Sequence, residues 1–190
     1  MFKIIFIRHG KTKGNEEKRY IGSTDEDILP SEKERLSLKQ YPKADIIFTS
    51  GMKRCVQTAD IIYPAVPKEI CFDFRESDFG EFENKNYDQL KDNPNYQKWL
   101  DSMGTIPIPG GESGESFRNR CTLAFEKIIK EYENKDITAA FVVHGGTIMA
   151  IMEKFAVPHR GFYSWQVKNG GGFVCGLNDD KTLKVIEKIE

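Results

Sequence analysis

Ile4-Ile5-Phe6-Ile7-Arg8-His9-Gly10, close to the N-terminus, is the stretch from which the fold can be read. Four consecutive apolar, mostly β-branched residues read as a buried strand. That strand delivers an arginine and a histidine together at its C-terminal end. Imidazole can attack phosphorus and carry it covalently, and guanidinium forks onto phosphate oxygens. A lone histidine at a strand end is more often a hydrogen-bonded structural residue, but here the arrangement recurs. Ala139-Ala140-Phe141-Val142-Val143 runs into His144-Gly145-Gly146, and Ile46-Ile47-Phe48 leads through Thr49-Ser50 to Arg54. Ligands of open α/β sheets bind beyond the carboxyl ends of the strands. Three strands ending in such residues therefore mark one active site.

Working outward, strands and helices alternate. A polar loop, Lys11 to Asp27, follows the first strand, and a short helical piece runs from Ser31 to Gln40. A helix is expected over Met52 to Tyr63, ended by Pro64 and Pro67. In Ser113 to Tyr132, the residues Phe117, Cys121, Phe125, Ile128, Ile129 and Tyr132 keep helical spacing. Glu112 and Glu115 suit the positive end of that helix's dipole. A further helix is expected over Thr147 to Phe155, and two late strands around Phe173–Leu177 and Leu183–Ile189, with Asn178-Asp179-Asp180 as the turn between them. Continuous rather than alternating apolar runs predict parallel strands covered on both faces. The fold class is α/β: a three-layer α/β/α sandwich with a mostly parallel central sheet. All of 1–190 reads as a single domain, with the charged, irregular segment of about 73–111 laid as an insertion over the strand ends.

Composition narrows the function. At 190 residues with a formal charge of −1, the chain has no electrostatic call on nucleic acid or an anionic membrane. No stretch reaches the roughly 20 apolar residues of a membrane span, and charge returns too early, at Arg8, for a signal peptide. Cys55, Cys71, Cys121 and Cys175 are scattered without metal-ligand spacing, the pattern of reduced thiols in a cytoplasmic protein. Monomer and dimer both stay open.

Several phosphate chemistries fail on spacing. Gly10-Lys11-Thr12 looks like the end of a P-loop, but the required earlier glycine is replaced by Ile5 inside the strand. Cysteine phosphatases place an arginine after five intervening residues, where this chain has Ile61, Ser77, Lys127 and Lys181. Asp25 and Asp27 lie in a polar loop rather than after an apolar strand, and the three histidines have poor zinc spacing. A histidine nucleophile remains. His159 follows Val157-Pro158 and reads as a loop residue, Lys11 as a solvated side chain beside the catalytic block. Cys55 reads as a small hydrophobe on its helix, and Phe162, Tyr163 and Trp165 as core.

Together these blocks resemble the histidine phosphatase superfamily, the phosphoglycerate mutase-like family, across nearly the whole chain. The resemblance rests on Arg8-His9-Gly10 with Thr12 and Asn15, then the block from Ser50 to Ala59. Phe74-Arg75-Glu76-Ser77-Asp78-Phe79-Gly80-Glu81-Phe82-Glu83 follows, then Pro109-Gly110-Gly111-Glu112-Ser113, and finally Val143-His144-Gly145-Gly146. It implies a phosphoglycerate mutase-like fold with His9 as nucleophile. Arg8, Arg54 and His144 would form a positive phosphate pocket, joined by Asn15, Thr12 and Gly145, with Gly146 adding a backbone amide. Spacing alone does not choose the general acid among Asp73, Glu76, Asp78, Glu81 and Glu83; the resemblance chooses Glu76. It implies no metal and no cofactor, since the cationic side chains supply the charge.

Two departures stand out. Leu29-Pro30-Ser31-Glu32-Lys33-Glu34 lacks a glycine common at that turn, and Asn84 replaces the glycine often found after Glu83. Hydrolysis of a small phosphomonoester is favoured over mutase-type transfer, because the mutases compared are longer, with extra sequence covering the site. Pro109–Ser113 and the tail Trp165–Gly172 are most similar to the α-ribazole phosphatase branch, whose substrate is α-ribazole 5′-phosphate in cobalamin biosynthesis. A non-catalytic phospho-ligand-binding protein is the alternative from another class, disfavoured because every core position is filled.

Overall fold

The computed structural model describes residues 2–190. β1 (Lys3–Arg8) carries the opening apolar run, and Ile4, Ile5, Phe6 and Ile7 are all fully buried. A single turn, α1 (Lys13–Glu16), comes next, then α2 (Pro30–Leu38), β2 (Ile46–Thr49), α3 (Lys53–Ile62) and β3 (Lys68–Ile70). After two short 3-10 turns come α4 (Tyr87–Leu90), α5 (Pro94–Asp101) and α6 (Gly114–Tyr132). β4 (Thr138–Val143), α7 (Gly145–Phe155), β5 (Ala156–Val157), β6 (Gly172–Leu177) and β7 (Leu183–Ile189) complete the chain.

The strands form one seven-stranded sheet in the order β3-β2-β4-β1-β6-β7-β5. β3, β2, β4 and β1 run parallel, while β6 is antiparallel to both β1 and β7. The register Ile7↔Val142 and Arg8↔Val143 places His9 and His144 side by side just past the sheet. Because successive side chains of a strand point to opposite faces, Ile4 and Phe6 join Ala139, Phe141 and Val143 on one face. They pack there under α6 and α7 residues such as Phe125 and Ile148. Ile5, Ile7, Ala140 and Val142 face the other way, against Ala59 of α3 and Tyr63. Two covered faces are the physical reason the apolar runs are continuous. Phe141 is the centre of the first face, with Phe6, Phe48, Phe74 and Phe125 at ring separations of 5.4, 5.1, 5.7 and 5.3 Å.

The observed elements depart from the sequence reading in identifiable places. The 11–27 stretch is not all loop: Thr12 and Asn15 form a reciprocal capping box around α1. α7 begins at Gly145, not Thr147, with His144 as its N-cap residue. β3 and β5 were invisible because they are only three and two residues long. The turn without its glycine is solved by Pro30 at the first position of α2. Asn84 takes φ 59°, the left-handed conformation that asparagine tolerates best after glycine.

Within 73–111, Phe82, Leu90, Tyr96 and Ile108 build a small apolar cluster against Tyr20, Phe79 and Trp99. The segment is tied back to the first loop. Glu83 accepts from the amides of Gly22 and Thr24 at 2.8 and 2.9 Å, and the Tyr20 and Tyr96 hydroxyls meet at 2.9 Å. No helix among the described residues is long and apolar enough to cross a membrane.

Candidate active site

Beyond the C-terminal ends of β1, β2 and β4 the structure gathers Arg8, His9, Arg54, His144, Asn15, Gly145 and Glu76. His9 is only 4% exposed. Its Nδ1 lies 2.7 Å from the Gly10 carbonyl oxygen. A carbonyl only accepts, so Nδ1 carries the proton and Nε2 keeps its lone pair. Burial, then the nearby Arg54 and Arg8 charges, hold His9 well below histidine's usual range. The imidazole is therefore neutral at neutral pH. Its backbone is fixed by Asn169, whose Nδ2 donates to the His9 carbonyl at 3.0 Å, and by the Gly10 amide donating to Thr58 Oγ1 at 2.8 Å.

Arg54, fully buried on α3, uses three of its five N–H donors within the protein. Nε donates to His144 Nδ1 at 3.2 Å, Nη1 to the Thr24 carbonyl at 2.7 Å and Nη2 to the Gly22 carbonyl at 2.9 Å. Since His144 accepts on Nδ1, its proton is on Nε2, which donates to Ser50 Oγ at 2.8 Å. Burial first, then Arg54, hold His144 well below its usual value. The expected trio of positive groups is thus corrected: two guanidiniums and a neutral imidazole, because a third buried charge beside two others is too costly. Cys55, whose thiol burial pushes up to about 12, packs against His144 at 3.4 Å as a neutral group.

Arg8 is different. Its Nη1 donates to the Val167 carbonyl at 2.9 Å, but its buried Nε has no hydrogen-bond partner. An orphaned cationic donor is expensive unless a ligand meets it. Burial pulls Arg8 below arginine's ordinary value, with the Glu76 carboxylate pushing back. Gly145 keeps the approach open, since a Cβ there would come within 3.4 Å of Arg8 Nε. Its N–H, in the first turn of α7, has no acceptor inside the helix and lies at the positive end of the dipole.

Glu76 sits across this space. Its carboxylate accepts from the Gly146 amide at 3.0 Å and the Ser77 amide at 3.0 Å, so the same helix N-terminus that faces Arg8 also seats this carboxylate. A Cβ on Gly146 would lie 2.1 Å from Glu76 Oε1, which is why glycine stands there. Asn15 accepts on Oδ1 from the Thr12 amide and from Asn169 Nδ2, leaving its own Nδ2 unused by these bonds. Thr12 is fully buried and its hydroxyl caps α1, so it holds Asn15 rather than lining the space. Lys11 and His159 are exposed.

Beside Glu76 and Gly146 opens a cavity of about 210 Å³ walled by Tyr20, Phe79, Trp99, Phe117, Phe162 and Tyr163. Phe162 and Tyr163 are therefore cavity walls and not core; only Trp165 is core, packed against Phe173. The residues that sequence reading missed are Ser50 as partner of His144, Asn169 as a clasp on His9, and Arg120, which grips the backbone around Glu76. Each acts through hydrogen bonds to positions distant in sequence, so spacing carried no sign of them. Among the described residues, no three His, Cys, Asp or Glu side chains cluster in a way that could hold a metal ion.

The chain is similar to known proteins in sequence and in fold. The chain is 32% identical over 165 residues to phosphoglycerate mutase-like protein 4 of Arabidopsis thaliana, covering 80% of this chain and 70% of that one. It is 28% identical over 162 residues to a Bacillus subtilis protein described as an uncharacterized phosphatase, covering 82% and 78%. In fold it superposes on the α-ribazole phosphatase of Shigella flexneri with a TM-score of 0.86 at 20% identity, covering 99% and 96%. The family model for the histidine phosphatase superfamily (branch 1) matches residues 4–187, and the chain belongs to that superfamily.

Proposed function

We propose that this protein is a phosphomonoesterase that works through a phosphohistidine at His9. The observation that carries the reading is the His9 Nδ1–H to Gly10 carbonyl bond, which leaves Nε2 as a free, neutral nucleophile beside the orphaned Nε of Arg8. The substrate's phosphoryl oxygens fill the space among Arg8 Nε, Asn15 Nδ2, the Gly145 amide and the Arg54–His144 pair. Arg54 offers its charge and the one proton on each Nη that no protein group holds. Thr12 contributes by holding Asn15.

The lone pair of His9 Nε2 forms an N–P bond in line as the P–O bond to the alcohol breaks. The Glu76 carboxyl gives its proton to the departing oxygen. Water then passes a proton to the Glu76 carboxylate while its oxygen attacks phosphorus, and the N–P electrons return to Nε2, releasing inorganic phosphate. Arg8 and Arg54 offset the charge that develops on the phosphoryl oxygens, so neither metal nor cofactor enters the scheme.

For the alcohol, we read a flat, largely apolar group, with α-ribazole 5′-phosphate as the natural substrate. The aromatic cavity next to Glu76 supports this: its size suits one ring system, and its walls stack on planar faces. Its cation, Arg118, lies 3.1 Å from Glu153 and over the Phe162 ring, with its buried Nε in no hydrogen bond. The four unbridged thiols fit the cytoplasmic setting we infer.

The test is phosphate release, in chelator, from α-ribazole 5′-phosphate, 3-phosphoglycerate, sugar phosphates, nucleotides and phosphoserine. Preference for the first is the expected result. A flat profile would remove the α-ribazole assignment and leave the phosphatase. A trapped phosphoenzyme label that survives alkali and is lost in acid is expected in the wild type and absent from His9→Ala, with phosphate binding kept. No release from any compound would overturn the enzymatic reading.

A further inference from the structure

Arg120 lies on the second turn of α6 and touches no part of the phosphate space, yet all five of its N–H donors are used. Nε and Nη2 form a fork on the Glu112 carboxylate, at 2.8 Å each. Nη1 donates to the Asp73 and Arg75 carbonyls at 2.7 and 2.8 Å, and the second Nη2 proton goes to the Glu76 carbonyl at 3.0 Å. Around this clamp the same stretch is gripped again. Thr147 Oγ1 donates to the Phe74 carbonyl at 2.9 Å, and the Glu112 amide to the Asp78 carbonyl at 2.9 Å. Five backbone carbonyls between Asp73 and Asp78 are therefore held by α6, its leading residue and α7.

Such density of bonds on irregular backbone has a physical consequence. The 73–78 stretch has no strand or helix ladder of its own beyond one 3-10 turn, so its position is decided by these donors. Glu76's carboxylate, meanwhile, must stay within hydrogen-bond reach of the Gly146 amide to face the leaving oxygen. A displacement of about 1 Å in a proton donor costs on the order of 10²-fold in rate. Planar guanidinium can meet five acceptors in one plane, and an ammonium, with three donors and no fork, cannot.

Resting on the reading of Glu76 as the proton donor, we infer that Arg120, locked by Glu112, is a positioning residue that sets where Glu76 delivers its proton. The pair connects the Gly110-Gly111-Glu112-Ser113 turn to the acid without contacting substrate.

The experiment compares Arg120→Lys with wild type on an alkyl phosphate, a poor leaving group, and on p-nitrophenyl phosphate, which needs no proton. The expected loss in kcat/KM, which reports only the step that forms the phosphoenzyme, is about 10²-fold on the alkyl ester and under about 3-fold on the aryl ester, the signature of a lost acid. Inhibition by inorganic phosphate should not change, because Arg8, His9 and Arg54 are untouched. Arg120→Lys combined with Glu76→Gln should be no slower than Glu76→Gln alone. Equal losses on both esters, or additive losses in the double variant, would overturn the inference. Should Arg120→Lys fail to bind phosphate, Glu112→Gln serves instead and is expected to show the same ordering at smaller amplitude; equal losses there would overturn it too. Glu76→Gln measured alone separates the two failures: if it slows both esters equally, the acid assignment itself is wrong.

Discussion

Acidification from pH about 7.0 to about 5.5 should weaken the fold through two histidines alone. His9 and His144 are both buried and neutral, with values depressed well below the usual one by burial and by Arg54. The unfolded chain takes up protons at about 6.5, before the folded one does. Stability is therefore full above that value and erodes as pH falls below it, until the folded values are reached. With both imidazoles neutral throughout the interval, the loss is about 1.3 kcal/mol for one such group and about 2.5 kcal/mol for two. Carboxylates, titrating near 4, contribute little in the same window. Urea unfolding in phosphate-free and sulfate-free buffer measures it, since an anion bound beside Arg8 would itself add stability to the folded state. His9→Gln and His144→Gln should each remove about half of the pH dependence, and the double variant nearly all of it. A wild-type loss under about 1 kcal/mol, or an undiminished slope in the double variant, would refute the reasoning that both imidazoles are buried neutral.

The same structure makes further commitments. Phe141→Ala removes the ring at the centre of the Phe6, Phe48, Phe74 and Phe125 cluster and should cost about 3–5 kcal/mol in denaturant unfolding. A loss under about 1.5 kcal/mol would mean that the cluster can collapse into the space. Gly146→Ala drives a methyl to 2.1 Å from Glu76 Oε1, so alkyl phosphate turnover should fall about 10²-fold while phosphate inhibition is kept. Unchanged turnover would show that Glu76 can act from another position.

How much was legible in the sequence follows from where the information is local. The strands that carry His9, Arg54 and His144 were readable because each is a continuous apolar run, and a run covered on both faces needs no partner to be recognised. The 113–132 helix was equally plain from its spacing. β3 and β5 were not, because two or three residues hold no period; they are strands only because Thr49 and Leu183 offer a ladder. The start of α7 was placed two residues late. Glycines read as breakers, whereas here Gly146 answers to the Glu76 carboxylate lying against it.

For the site, residue types at three strand ends pointed to phosphate chemistry at a histidine, and the resemblance assigned the nucleophile's role to His9. Sequence could not say that His144 is neutral. Its charge depends on burial and on Arg54 pressing against Nδ1, both products of packing. Nor could it separate Glu76 from Asp73, Asp78, Glu81 and Glu83, or tell that Phe162 and Tyr163 wall a cavity while Trp165 fills the core. Those distinctions rest on which carboxylate reaches the amide of Gly146 and which ring faces it. Local patterning records hydrophobic period and chemical capacity; protonation state, proton-donor position and cavity shape arise only when residues distant in the chain are brought within a few ångströms.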